Sequence, residues 1–157
     1  MKLRTIMLAG LFFGNSLVYA DPFSSTDVQS QMNTLSNTLQ QYTDADALTR
    51  YQAYKAKMWL NYAVNQQSER SLTAAGKEAL QQAQTIVNGL QSKQDLSLTT
   101  PILSVSQVMR RDLWWQAEYL KQHGAIDKAP ESLARAEVML VWAAAEYCEL
   151  GWKHAKE

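Results

Sequence analysis

Few side chains in this 157-residue sequence have the types and spacings that catalysis or metal binding requires. His123 and His154 each follow a glutamate by five residues, whereas helical metal sites use glutamate and histidine three residues apart. Both histidines are therefore expected to complement the charge at helix C-termini. Cys148 is the sole cysteine. No histidine is placed to activate it, so it is expected to be a small buried hydrophobe, with an intermolecular disulfide as the alternative.

Three glutamates, Glu137, Glu146 and Glu149, are the remaining candidates for acid chemistry. Glu146 directly follows the apolar residues 138–145, so its partial burial is expected. General acid catalysis would need a second carboxylate and a cleft. A buried ion pair with Arg135 or with a lysine of the second predicted helix is the simpler interpretation. The sequence therefore predicts no enzyme, no metal site and no cofactor.

Aromatic side chains are abundant, with five tryptophans and seven tyrosines. Most are expected to fill gaps between helices, and Trp59 and Trp142, which lie among alanine and leucine, are expected to be structural. Neighbouring residues on a helix point about 100 degrees apart, so one of the adjacent Trp114 and Trp115 is expected at the edge of the core. Exposed tryptophan and tyrosine often anchor interfaces. The candidate interface residues are Trp114, Trp115, Tyr119 and Trp152.

Apolar residues after residue 20 recur at spacings of three and four, which predicts helices rather than strands. Gly124 is placed to end a helix and Pro130 to begin one. An ordered loop is expected at residues 93–101. The sequence therefore predicts an all-α bundle of about five helices, at residues 25–42, 46–67, 71–91, 102–123, and from 130 to near the C-terminus.

The first predicted helix has only a narrow apolar seam, one residue wide per turn. No charged residue lies beside the seam, so nothing obvious specifies a partner. The helix could dock on its own bundle or pair with a second copy of the chain, and it is expected to be the least stable element. The seam consists of Val28, Met32, Leu35, Leu39 and Tyr42.

The first twenty residues have the pattern of a secretory signal. Lys2 and Arg4 precede an apolar stretch at residues 6–13, and Val18-Tyr19-Ala20 forms a cleavage site. A retained membrane anchor is the alternative, but the stretch is shorter than the roughly 20 residues that a spanning helix needs. Residues 1–20 are therefore predicted to be a signal peptide, residues 21–45 an N-terminal amphipathic helix and residues 46–157 a helical bundle domain in the periplasm.

The predicted mature chain is nearly neutral. Removal of Lys2 and Arg4 leaves 15 − 2 = 13 basic residues against 15 acidic ones, a net charge of −2. No basic stripe occurs along the sequence, so nucleic acid is not an expected partner.

Two segments of the chain resemble each other. Residues 55–63 (KAKMWLNYA) align with residues 135–143 (RAEVMLVWA), sharing identical alanines and leucine and matching a basic and an aromatic residue in kind. Both segments fall in the middle of predicted helices. This pattern fits duplicated helical hairpins, so the bundle is expected to be repeat-like.

The same segments carry a resemblance to a known family. Residues 53–63 (AYKAKMWLNYA) and 133–147 (LARAEVMLVWAAAEY) are similar to the helical N-terminal region found in some OmpA-family cell-envelope proteins, and residues 74–90 fit its pattern. The resemblance implies a helical module located in the envelope. In those proteins a peptidoglycan-binding domain follows, and its pattern of strands and helices does not occur here. Peptidoglycan binding, through Arg135 or otherwise, is therefore not expected.

The sequence thus predicts a non-enzymatic periplasmic interaction or structural module of the Gram-negative cell envelope. Its partner would be an unidentified envelope protein, and a homo-oligomer remains open. The alternative function is a small-ligand carrier with an aromatic-lined pocket between helices. A carrier predicts an enclosed, mostly apolar cavity of roughly several hundred Å³, whereas an interaction module predicts an exposed aromatic surface.

Overall fold

The computed structural model describes residues 25–69 and 72–150 of the chain. The predicted signal segment, residues 1–20, and the residues Trp152 and His154 lie outside the described residues. Within the described ranges the chain forms helices and no strand, which confirms the all-α bundle. The helices are α1 (Ser25–Leu39), α2 (Ala47–Glu69), α3 (Ala74–Gln91), α4 (Arg111–Gln122), α5 (Ala125–Lys128) and α6 (Pro130–Leu150), and a 3-10 turn at Gln40–Tyr42 follows α1.

Side-chain caps define where two of the long helices begin. The Asp46 carboxylate, just before α2, accepts hydrogen bonds from the backbone N–H of Thr49 at 3.0 Å and from the Thr49 hydroxyl at 2.6 Å. Before α3, the Thr73 hydroxyl oxygen accepts a hydrogen bond from the N–H of Gly76 at 3.0 Å. The two bonds from backbone N–H groups satisfy donors that the first helical turn leaves free, which fixes each helix start.

α2 is the central helix, since it packs along α3 on one side and along α6 on the other. α2 and α6 run parallel, because Tyr51 contacts Glu137 near their N-terminal halves and Gln66 contacts Glu146 near their ends. Trp59 of α2 has no exposed surface, so its predicted structural role is confirmed. α1 packs on α2 and α3, and α4 packs on α6.

The seam of α1 lies in the same core as α2, α3 and α6. Val28, Met32, Leu35 and Leu39 are buried there, and Tyr42 packs against them from the 3-10 turn. The first predicted helix therefore docks on its own bundle in this structure. No helix within the described ranges has the length and apolar character needed to cross a membrane.

The predicted start of the fourth helix, at residue 102, is wrong. α4 begins nine residues later, at Arg111, and residues 92–110 form an extended connection that we call the strap. The apolar spacing predicted a helix there wrongly, because residues of the strap make contacts with the bundle instead. Leu103 is buried in the core, and Ser104 donates hydrogen bonds to Glu78 of α3 through both its N–H and its hydroxyl. The predicted helix end is right, because Gly124 adopts a left-handed conformation with φ of 82°.

Candidate functional site

The best-defined polar arrangement is a buried cluster around Glu137 of α6, which has no exposed surface. Its Oε2 accepts hydrogen bonds from the Tyr51 hydroxyl at 2.6 Å and from the Thr100 hydroxyl at 3.1 Å. The ammonium group of Lys55 lies 3.4 Å from the same oxygen, and Lys121 pairs with Oε1. One carboxylate thus joins α2, the strap, α4 and α6.

The cluster also holds the strap against the bundle through one backbone carbonyl. The Leu98 oxygen accepts hydrogen bonds from the ammonium of Lys55 at 3.1 Å and from that of Lys121 at 2.9 Å. The Tyr51 hydroxyl, whose single proton is donated to Glu137, lies 3.2 Å from the same oxygen. Gln52 adds a bond from its Nε2 to the Ser97 carbonyl at 3.1 Å. These bonds give two backbone carbonyls of the strap partners from the bundle, which an irregular segment would otherwise lack.

Burial and neighbouring charges displace the pKa values of this cluster in different directions. Burial lowers the pKa of Lys55 to about 8, although the Glu137 carboxylate opposes that change. Burial raises the pKa of Tyr51, and its hydrogen bond to Glu137 adds to the effect. Burial also disfavours the charge on Lys121, but hydrogen bonds to Glu118 and Glu137 outweigh it, so the pKa of Lys121 is raised.

Displaced pKa values often mark functional sites, but these groups are closed off from solvent. Lys55 exposes 1% and Glu137 none of its surface, so a substrate in the surrounding water could not meet either one. The arrangement gives each buried charge a hydrogen-bonded or ion-paired partner and joins four segments of the chain. Its role is therefore structural. The sequence predicted an ion pair to a lysine of the second helix without specifying which lysine. The position of Lys55, four residues after Tyr51 and four before Trp59, places it on the buried stripe of α2.

A second polar group surrounds Glu146, and here the predicted ion pair is wrong. Glu146 is buried, as expected, but its Oε1 accepts hydrogen bonds from Gln66 Nε2 at 2.8 Å and from Trp142 Nε1 at 3.1 Å. Arg135 is exposed. Neutral donors are sufficient here because Thr73 in turn donates to Gln66 Oε1 at 2.9 Å, which orients the amide.

The lysine of the second helix pairs with a different glutamate, Glu137. The prediction thus named the right kind of interaction and the wrong acid. Trp142 is partly buried and stacks on Tyr62 of α2, with ring centroids 4.9 Å apart. This stacking across the α2–α6 interface agrees with the predicted structural role.

The candidate interface residues separate into inward and outward positions on α4. Trp115 is 69% exposed and stacks on Tyr119, with ring centroids 5.5 Å apart. Tyr119 stacks on His123 in turn at 3.9 Å. We call these three residues the aromatic face. Trp114 does not join them, because its side chain packs against the main core.

The structure therefore brings together two of the four predicted interface residues, Trp115 and Tyr119, and Trp152 lies outside the described residues. His123 was missed as a member of the face, although its spacing of four from Tyr119 was visible in the sequence. Its ring Nδ1 lies 2.7 Å from the Tyr119 carbonyl oxygen at the end of α4, where the sequence placed it as a complement to the helix terminus.

The predicted burial of Cys148 is wrong, since its thiol is exposed. Gln66 contacts Glu146, and α2 ends only three residues further on, at Glu69. Cys148 therefore lies at the level where its neighbouring helix ends. Residues 147–149 of α6 are all exposed.

One cleft of about 270 Å³ opens between the C-terminal end of α1, α2 and the start of α6. Its wall contains both charged and apolar side chains, among them Arg50, Lys57, Leu60 and Glu131. It is open to solvent and half polar, which differs from the enclosed apolar cavity expected of a carrier. Among the residues that the structure describes, no three histidine, cysteine or acidic side chains are grouped so that they could hold a metal ion.

Comparisons with protein-family models, with curated proteins and with solved structures found nothing that matches this chain. The similarity of residues 53–63 and 133–147 to the OmpA-family helical region therefore stays a prediction.

Proposed function

We propose that this protein is a non-enzymatic interaction or structural module of the Gram-negative cell envelope, acting in the periplasm after removal of residues 1–20. The observation that carries the proposal is the aromatic face, Trp115, Tyr119 and His123. Exposed tryptophan and tyrosine of this kind contribute disproportionately to binding energy in protein interfaces. The partner proposed is another envelope protein.

The stacking within the face favours this role. Each ring lies one helical turn from the next and is already ordered by its neighbour, so binding would cost little side-chain entropy. The backbone beneath is held as well. Lys121, which lies between Tyr119 and His123 in sequence, anchors the opposite side of α4 to Glu137 and to the strap.

A photo-crosslinking amino acid placed in intact cells tests the proposal. Gln116 is exposed and adjacent to Trp115, whereas Gln81 is exposed on α3. A crosslinker at position 116 should capture a defined partner, and the same group at position 81 should not. Trp115→Ala should abolish the capture at position 116, because it removes the largest exposed ring. Equal capture at both positions, or capture that survives Trp115→Ala, would refute the proposed interface.

Export is tested separately, by the mass and cellular fraction of the protein. The expected product begins at Asp21 and is released with the periplasmic contents. If the protein is recovered with the membranes and its mass still includes residues 1–20, the proposed location is contradicted.

A further inference from the structure

The cleft beside α1 combines an apolar floor with a charged rim. Its floor contains the buried side chains of Leu39, Ala53 and Leu60. Two tyrosines, Tyr42 and Tyr54, stand partly buried at its walls. Such a surface can bury the apolar part of a ligand while the polar end of the same ligand stays at the charged rim.

The rim carries two cations against one carboxylate. Arg50 pairs with Glu131 through Nη1 at 3.4 Å, which is a long contact. The ammonium of Lys57 lies 5.5 Å from the centre of the Tyr54 ring. Ala53, Tyr54, Lys57 and Leu60 follow Arg50 by three, four, seven and ten residues, so a single stripe of α2 supplies both charges and much of the floor.

The Arg50 guanidinium presents its two Nη groups to the cleft region. It has five N–H groups in all. Its Nη1 lies 3.4 Å from Glu131 and its Nε is buried without an acceptor among the described residues, so the donors that a ligand could meet are those on Nη1 and Nη2. A guanidinium is suited to bind a carboxylate through two parallel hydrogen bonds. The cleft thus has an excess positive charge and unused donors beside an apolar floor.

We propose that this cleft binds a small organic carboxylate with an apolar or aromatic body. The carboxylate is held at the rim by Arg50 and Lys57, and the body lies on Leu39, Ala53 and Leu60. A volume of about 270 Å³ is at the lower limit for ligand sites, so the ligand is smaller than a nucleotide or a typical drug. The site is independent of the aromatic face, since the two share no residue.

Phenylacetate is a suitable probe, and phenylacetamide is its uncharged match. Titration of the isotope-labelled protein, followed by amide NMR, should shift the resonances of Leu39, Ala53 and Leu60 when phenylacetate is added. The amide analogue should bind roughly tenfold more weakly or worse, because it lacks the charge-assisted hydrogen bonds. The carboxyl terminus of a peptide offers the same carboxylate group. Comparing acetyl-phenylalanine that has a free carboxyl with the form whose carboxyl is amidated tests whether the cleft accepts a peptide terminus.

Variants locate the interaction. Arg50→Met and Lys57→Met should each weaken phenylacetate binding, with Arg50→Met costing roughly tenfold, because these changes remove the cations and keep the aliphatic stems. Arg111→Met, which removes an exposed cation from α4, is the matched control and should bind as the unchanged protein does. Lys57 is exposed, so Lys57→Met tests the site even if Arg50→Met unfolds the bundle.

Three outcomes would overturn the proposal. The first is the absence of shifts at the cleft residues up to the solubility limit of phenylacetate. The second is equal binding of phenylacetate and phenylacetamide, which would show that the rim contributes nothing. The third is unchanged binding in both Lys57→Met and Arg50→Met, or in Lys57→Met alone where Arg50→Met does not fold. Either result would place the probe elsewhere on the molecule.

Discussion

Lys55 of α2 and Glu137 of α6 form an ion pair with 3.4 Å between Nζ and Oε2, and both side chains are almost wholly withdrawn from solvent. Moving two charges into the interior is costly, and their attraction offsets the cost only where other partners complete the shell. Here Tyr51, Thr100 and Lys121 supply those partners. The pair therefore depends on four segments being in place together.

Neutralising Glu137 should strongly destabilise the protein. In Glu137→Gln the shape is kept, but Lys55 and Lys121 lose the carboxylate that compensates their buried charges. The expected loss in the free energy of unfolding is about 3–5 kcal/mol, measured by urea denaturation at neutral pH. The control is Asp112→Asn, which breaks the fully exposed pair with Arg110 and should leave the midpoint almost unchanged. Similar effects in both variants would show that the buried cluster is not a structural centre.

Stability should rise with pH between about 8 and 10. Burial lowers the pKa of Lys55 to about 8 from the ordinary 10.5, so in this window the unfolded chain binds more protons than the folded one. The free energy of unfolding then increases with pH, by at most about 1.4 kcal/mol per pH unit. Above pH 10 the raised pKa values of Tyr51, Tyr62 and Lys121 act in the opposite direction and set the upper limit of the window.

Urea denaturation at several pH values measures this slope. Lys55→Met should remove it, whereas Lys57→Met, which changes an exposed lysine of the same helix, should retain it. A flat or falling profile in the unchanged protein would contradict the lowered pKa. The same rising profile in Lys55→Met would assign the effect to another group.

Loss of the hydroxyl should lower the stability of the protein at Tyr51 but not at Tyr62. Tyr51→Phe removes a 2.6 Å hydrogen bond to Glu137 and a contact to the Leu98 carbonyl, so it should cost about 1–3 kcal/mol. The Tyr62 hydroxyl is buried with no hydrogen-bond partner among the described residues, so Tyr62→Phe should be neutral or stabilising. Thermal unfolding of the two variants gives the comparison. A larger loss in Tyr62→Phe than in Tyr51→Phe would be inconsistent with this structure.

The helices were predictable from sequence where apolar spacing and capping agreed. α2 and the start of α6 satisfy both, because Asp46 and Pro130 mark the beginnings of apolar stripes. The third helix was predicted to begin at residue 71, whereas α3 begins three residues later, at Ala74, where Thr73 caps it. The strap was not predictable from local pattern, since Val105 and Met109 continue a helical spacing. Its extended course depends instead on Lys55, Lys121 and Tyr51, which meet the Leu98 carbonyl only in the folded chain.

The candidate sites were predictable to different degrees. The adjacency of Trp114 and Trp115 correctly indicated that one of them lies at the surface, since neighbouring helical positions diverge. Which one it is depends on the packing of α4 against α6, and the sequence alone does not contain that information. The pairing of Glu137 rather than Glu146 with a lysine depends likewise on the parallel register of α2 and α6.

Trp59 and Trp115 should differ in what their removal costs. Trp59 is fully enclosed by the core, so Trp59→Ala should lose about 3–5 kcal/mol of stability through the cavity it leaves. Trp115 is largely exposed, so Trp115→Ala should change stability by no more than about 0.5 kcal/mol. Urea denaturation of each variant decides the matter. A strongly destabilised Trp115→Ala protein would mean that the aromatic face supports the fold rather than standing free to bind.

α1 should be the first long helix to open. Its seam is buried, but the remaining residues at 29–30, 33–34 and 36–37 are exposed, so one narrow stripe holds it to α2 and α3. Residues 138–145 of α6 are held differently, because Val138, Val141, Ala144 and Ala145 bury a broad face. Local opening depends on how much apolar surface anchors a segment. Amide hydrogen exchange of the isolated protein should therefore be faster at residues 28–39 than at 138–145, and equal protection of the two segments would make α1 an integral part of the core.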